Sequence, residues 1–284
     1  MRLPAVSPSP AFARWATALL LLWLLALTAG PALSEALGFT LNAHGHGHAH
    51  AHLHAHGHPF VDARTLFGIP NVMDVLTNAP LTLAGLWGLL ALRGRTLPGA
   101  TQKAALVFFA GLVATGFGSA GYHWAPDVSG LVWDRLGMAV TFAGAISLAV
   151  AERVGQVPAR WSLHLSLPLA TFSAILPAFT GNVLPWAVMQ FGGMALIVWL
   201  ALRTPVAGAI GIRLGALIGL YALAKALELG DAAVFHATAD TLSGHSLKHL
   251  TAALAAWPVI VALRPQRPAK APASLRQNAP GRAA

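Results

Sequence analysis

Cysteine is absent from this chain, and acidic residues are scarce: nine Asp and Glu stand against 18 Lys and Arg among 284 residues. Without thiols there are no disulfides and no thiolate metal ligands, so any metal must be held by nitrogen and oxygen. Charged residues make up 10% of the chain and hydrophobic ones 56%, whereas a soluble domain carries about 25% charged residues. That excludes a water-soluble globule and selects a bilayer as solvent. The nine excess positive charges invite a nucleic-acid reading, which their positions exclude.

The apolar runs set the organisation. Residues 1 to 34 place Arg2 and Arg14 around the start of an apolar stretch that ends in small residues, the layout of a signal peptide or signal anchor. Residues 35 to 64 form an exposed low-complexity segment in which eight of the 13 histidines alternate with Gly, Ala or Leu between 43 and 58. Residues 65 to 263 are almost continuously apolar, and 264 to 284 form a basic tail. Spans of about 20 residues, enough to cross a hydrocarbon core about 30 Å thick, fall at 72 to 92, 104 to 124, 130 to 151, 161 to 179, 183 to 202, 208 to 228 and 242 to 263. The 42 residues from 161 to 202 carry no charge and hold two spans, with a turn expected at 177 to 182. The expected fold is therefore all-α, an integral membrane bundle of seven transmembrane helices behind the N-terminal segment.

Orientation follows from the basic residues, which favour cytoplasmic loops. Twelve of them, from Arg93, Arg95 and Lys103 through Arg153, Arg160, Arg203 and Arg213 to the tail, fall on one side. Only Arg64 lies clearly in a connection on the other. The tail is thus expected in the cytoplasm, and the high charge reports topology, with no nucleic-acid partner.

Some spans reach across only by taking in polar residues. Sixteen residues separate Arg135 from Glu152, and 15 separate Lys248 from Arg264, so Asp134 and the segment 243 to 249 are drawn into the outer part of the bilayer. Such groups cost roughly 2.5 to 3.5 kcal/mol each at a helix centre and normally face partners inside the bundle. Helix two ends outside with Ser119 and His123, helix three begins outside with Asp134, and helix seven begins outside with His245 and His249. These five groups converge at one depth. Residues four apart share a helix face, so His245 and His249 can grip one ion. A third ligand from His123 leaves a fourth position open, the pattern of catalytic zinc.

Five segments carry a resemblance: GIPNVMDVLTNAPLTLAGLWGL (68 to 89), GFGSAGYHWAPD (116 to 127), LVWDRLGM (131 to 138), YALAKALEL (221 to 229) and SGHSLKHL (243 to 250). Together they are similar to bacterial members of the alkaline ceramidase family, within a seven-helix hydrolase superfamily that includes the adiponectin receptors. The resemblance implies that His123, His245 and His249 hold Zn2+, and that a ceramide or other N-acyl lipid is hydrolysed to a fatty acid and an amine. It implies a bacterial inner membrane with the site near the periplasmic face. Asp134 is then the general base and acid, and Ser119 a hydrogen-bond donor to the attacking water or the oxyanion. Asp62, Asn71 and Asp74 only partly match the acidic cluster that binds Ca2+ in eukaryotic members.

Other residues have plainer readings. Tyr122, Trp124 and Trp133 suit an interfacial aromatic belt, His164 and His236 suit structural or loop positions, and Lys225 with Glu228 suits a local ion pair. Lys248 suits either snorkelling outward or meeting an acidic headgroup. Two other classes fit parts of the pattern. A serine intramembrane protease would use Ser119 without metal, leaving Asp134 and the paired histidines unexplained. A metal transporter or sensor for zinc or nickel would explain the eight-His tract, but a path needs ligands at successive depths and these gather in one layer.

Overall fold

The computed structural model describes residues 9 to 36 and 60 to 264. The His-rich tract at 43 to 58 and the tail from 265 onward lie outside them. Among the described residues the regular structure is helical, apart from an isolated bridge between Leu66 and Ile69. In chain order the helices are α1 (Pro10–Ala36), α2 (Val72–Leu76), α3 (Ala79–Leu92), α4 (Gly99–Trp124), α5 (Val128–Arg153) and α6 (Gln156–Thr180). A composite helix follows, α7 (Leu184–Ala187) running through a π-helical turn (Val188–Gly192) into α8 (Gly193–Ala201). Then come α9 (Leu214–Leu229), α10 (Asp231–Ala237), α11 (Gly244–Leu254) and α12 (Trp257–Ala262).

Six helices are long and apolar enough to cross a membrane: Pro10–Leu33, Val72–Leu92, Gly99–Trp124, Val128–Arg153, Gln156–Thr180 and Leu184–Ala201. They comprise the N-terminal helix and the first five of the seven expected spans. The last two differ from expectation. α9 has 16 residues, about 24 Å at 1.5 Å per residue. The final span is broken at Ala255–Ala256, just ahead of Pro258, whose missing N–H and ring prevent α11 from continuing. The expected turn at 177 to 182 is also shorter: α6 continues through Pro177 to Thr180, and Gly181, at φ 69°, reverses the chain.

α4 and α5 pack closely because glycines stand at the contact points of the seam. A Cβ at Gly118 would strike the Trp133 carbonyl, one at Gly111 the Thr141 backbone, one at Gly137 the Thr115 backbone and one at Gly144 the Phe108 backbone. Small residues allow this in membrane bundles. The seam fixes an antiparallel register in which Ser119 stands level with Asp134. The fully buried apolar side chains Phe109, Leu148, Ile197, Leu200 and Val259 fill the end of the bundle remote from that layer.

α1 is docked on the bundle. Trp23 Nε1 donates to Ser173 Oγ at 2.8 Å, Asn182 Nδ2 donates to the Ala26 carbonyl at 2.9 Å, and Trp15 packs on Trp199. At the opposite end, buried Glu152 accepts from the backbone N–H groups of Ile210, Gly211 and Ile212 at 2.7, 3.0 and 2.9 Å. The Glu152 carbonyl accepts from Val206 N–H as well. These bonds tie the connection before α9 to the end of α5.

The seam makes a direct prediction. Gly137→Val should lower the melting temperature of the detergent-solubilised protein, by a destabilisation of about 1 to 3 kcal/mol, because the obstacle is backbone. Gly219→Ala, where open space surrounds the added methyl, should not lower it.

Candidate metal centre

Three imidazoles meet where α4 ends and α11 begins. His123 Nε2 lies 3.2 Å from His245 Nε2, and one nitrogen from each of His123, His245 and His249 falls within 4.8 Å of the others. At Zn–N bonds near 2.05 Å, two nitrogens on one tetrahedral ion stand about 3.3 Å apart. The first pair already has that separation, and His249 needs only a small approach. His123 and His249 are 1% and 4% exposed. His123 Nδ1 is buried with no partner among the described residues, so its ring meets another imidazole and no acceptor of its own. Burying imidazoles this way is costly unless something shared satisfies them, and three neutral nitrogen donors suit a borderline cation. The donor set fits zinc.

Local structure places each ring. Ser243 caps α11, accepting from Ser246 N–H at 2.9 Å, and Asp231 accepts from His245 N–H at 2.7 Å. Asp74, fully buried, accepts from the hydroxyls of Ser243 and Ser246 at 3.0 and 2.6 Å. Both carboxylates therefore face the N-terminal end of α11, where the helix dipole favours negative charge. Gly244 permits the approach, since a Cβ there would meet the Leu227 carbonyl and the Asp231 backbone.

A second contact orients His249. The Thr77 hydroxyl donates its one proton to the Met73 carbonyl at 2.7 Å, so toward His249 Nδ1, 3.1 Å away, it can only accept. That assigns the proton to Nδ1 and leaves Nε2 as the ligand atom, the way protein partners commonly fix metal-binding histidines. Asn71 Nδ2 donates to the His123 carbonyl at 2.8 Å. The Phe60 ring lies against His123 and His245, with centroids 4.7 and 6.0 Å away.

Ser119 and Asp134 line a cavity together with His249. The cavity holds about 160 Å³, and beyond this polar end its wall includes Leu81, Leu112, Phe108, Phe142, Ile197 and Leu217. Such a shape suits a long apolar ligand with one reactive polar end. Lys225 pairs with Glu228 at 2.5 Å, as the spacing suggests, but Lys248 completes the group. Its Nζ lies 2.9 Å from Glu228 and 3.5 Å from His245 Nδ1. Lys248 is thus held at the cavity wall by a carboxylate and does not snorkel outward.

The remaining expected residues sit apart from this group or serve it differently. Asp62 uses both oxygens on the Arg64 guanidinium at 2.6 Å each, Asn71 serves the His123 carbonyl, and Asp74 serves the two serines. The partial calcium pattern is therefore engaged with protein partners, although Asp74 Oδ2 has none among the described residues. His236 is exposed and pairs with Asp240, and His164 is exposed on α6. Trp124 and Trp133, 50% and 63% exposed, face outward from the bundle.

Sequence reasoning missed Thr77, Phe60, Asp231 and the Lys248–Glu228 pair. Thr77 lies one turn after Asp74 on an apolar span, and nothing in its spacing points to a histidine 172 positions away. No family model, curated protein or solved structure matches the chain.

On a chain lacking residues 43 to 58, so that the tract cannot contribute, zinc analysis should find about one ion per molecule, lost in His245→Ala and His249→Ala. Thr77→Val should keep the fold but weaken zinc affinity by about 10- to 100-fold, read by competition with a chelator.

Proposed function

We propose that the chain is a zinc-dependent intramembrane amidohydrolase that cleaves the amide of a ceramide or related N-acyl lipid to a fatty acid and a free amine. The observation that carries this reading is that Ser119 and Asp134 share the wall of a largely apolar cavity with His249 of the His123–His245–His249 cluster. The segment-by-segment resemblance to alkaline ceramidases supports it. In the same reading α9 and α11–α12 complete a seven-helix bundle, α1 is its N-terminal anchor, and the polar layer faces the periplasm with the C-terminus in the cytoplasm.

The three histidines would hold the ion, whose chemistry is to polarise the carbonyl and make water acidic enough to attack at neutral pH. The protein supplies the rest. Asp134, half-buried on the cavity wall, takes the proton of the attacking water and returns it to the leaving amine, which would otherwise depart as an unfavourable anion. Ser119, one helical turn before His123, donates its hydroxyl proton to the oxygen on which negative charge develops. Thr77 holds His249 in one tautomer. The apolar wall excludes bulk water from the acyl chain and fixes the carbonyl at the polar end.

Ion transport is the competing reading. It needs ligands at successive depths, whereas among the described residues the one group of metal-ligating side chains is His123, His245 and His249. Asp134→Asn should lower fatty-acid release from a panel of N-acyl lipids by about 100-fold or more while zinc content stays at the wild-type level. Unchanged turnover in that variant, or zinc flux into proteoliposomes without amide cleavage, would overturn the hydrolase reading.

A further inference from the structure

The apolar arm of the cavity is not uniformly apolar. Gln190 lines it, is 8% exposed, and has no side-chain hydrogen bond among the described residues. Tyr221 lines it too, and its hydroxyl is buried and without a partner among those residues. Each is a polar group set in a bundle whose surroundings offer no water, where an unmade hydrogen bond is costly. Gln190 sits within the π-helical turn Val188–Gly192, and such turns interrupt α-helices mainly at functional positions.

The two groups belong to the wall of one cavity. α5 and α8 run in the same direction, because α6 returns the chain between them. Gly193 on α8 lies against Ile146 on α5, and Gln190, three residues earlier, lines the same cavity as Phe142. Phe142 in turn packs edge-on against Tyr221, with centroids 5.6 Å apart. Thr141, next to Phe142, brings its hydroxyl within 3.3 Å of that of Thr115, and both line the cavity. Their protons are also directed to the Gly137 and Gly111 carbonyls of their own helices. Phe142 lies eight residues along α5 from Asp134, about 12 Å at 1.5 Å per residue. Met138 stands between that level and Asp134, while Phe108, Ile197 and Leu217 continue the wall.

We propose that Gln190 and Tyr221 form a hydroxyl-reading rung in the acyl arm, so that the preferred lipid chain carries an oxygen substituent in its interior, as a mid-chain hydroxy acyl group does. The inference rests on the hydrolase reading in taking the ligand to be an acyl chain. An amide offers donor and acceptor together and a phenol adds another of each, which complements an alcohol. The charged side chains on the cavity wall, Lys225, Glu228 and Lys248, pair with one another, and the groups of the rung are neutral. A hydroxyl next to the scissile amide would fall short of it by roughly two helical turns.

The test compares octadecanoic acid with its mid-chain hydroxy derivative, each titrated into the full-length protein in detergent micelles, and the two corresponding N-acyl lipids as substrates. The hydroxylated chain should bind about 5- to 10-fold more tightly, the scale of one or two neutral hydrogen bonds, and show a matching advantage in kcat/KM. Gln190→Leu and Tyr221→Phe should each bring that ratio down toward one, with melting temperatures reporting that the fold persists. Equal affinity for both chains in the wild-type protein overturns the rung and leaves the hydrolase reading standing. A preference that survives both substitutions also overturns it. Selective binding that both substitutions abolish, without cleavage of either lipid, supports the rung while removing the hydrolase reading.

Discussion

The backbone-to-backbone approach of α4 and α5 is the constraint from which the site follows. Four glycines remove the side chains that would separate the helices, and a register set by backbone contact cannot slide without a clash. Ser119 is thereby fixed opposite Asp134, and His123, one turn beyond Ser119, reaches the rim where α11 begins. α3 joins the same arrangement, since a Cβ at Gly116 on α4 would run into Thr82 and the Asn78 carbonyl. That contact carries the preceding turn, with Thr77, into reach of His249.

Around the three histidines most polar groups satisfy one another through short, specific bonds, His123 Nδ1 and Asp74 Oδ2 being exceptions. Asp74 serves two serines, Ser243 caps α11, Asp231 holds the His245 amide and Thr77 accepts from His249. Buried polar groups left half-partnered are destabilising, but fully connected ones fix a single arrangement. The cavity wall one to two turns away behaves differently, with Gln190 and Tyr221 presented to the empty interior.

Much of this layer was legible in the sequence, because helical spacing reports which residues share a face and the length of an apolar run reports depth. Those two periodicities suffice to bring His123, His245, His249, Ser119 and Asp134 to one level. They carry no information about which face of one helix meets which face of another. Thr77 and Phe60 were invisible for that reason, and Lys248 was expected outside because its partner, Glu228, lies 20 residues earlier on another helix. Span lengths were misjudged where connections have structure of their own. The stretch 208 to 213 is apolar enough to read as helix, yet its N–H groups go to Glu152, and Pro258 divides a run that hydrophobicity alone makes continuous.

Glu152 has a consequence for how the chain tolerates change. The connection from Arg203 to Arg213 contains no helix, which ordinarily marks a place where sequence can be inserted or cut with little effect. Here three consecutive amides converge on a carboxylate that is 1% exposed, and the loop is bonded as tightly as a turn of helix. Added residues would have to pull those amides off a buried charge, shifting the entry point of α9 and with it the wall that carries Tyr221, Lys225 and Glu228. A tag or reporter belongs elsewhere, and a loop that looks dispensable by its lack of regular structure is among the least replaceable parts of the molecule.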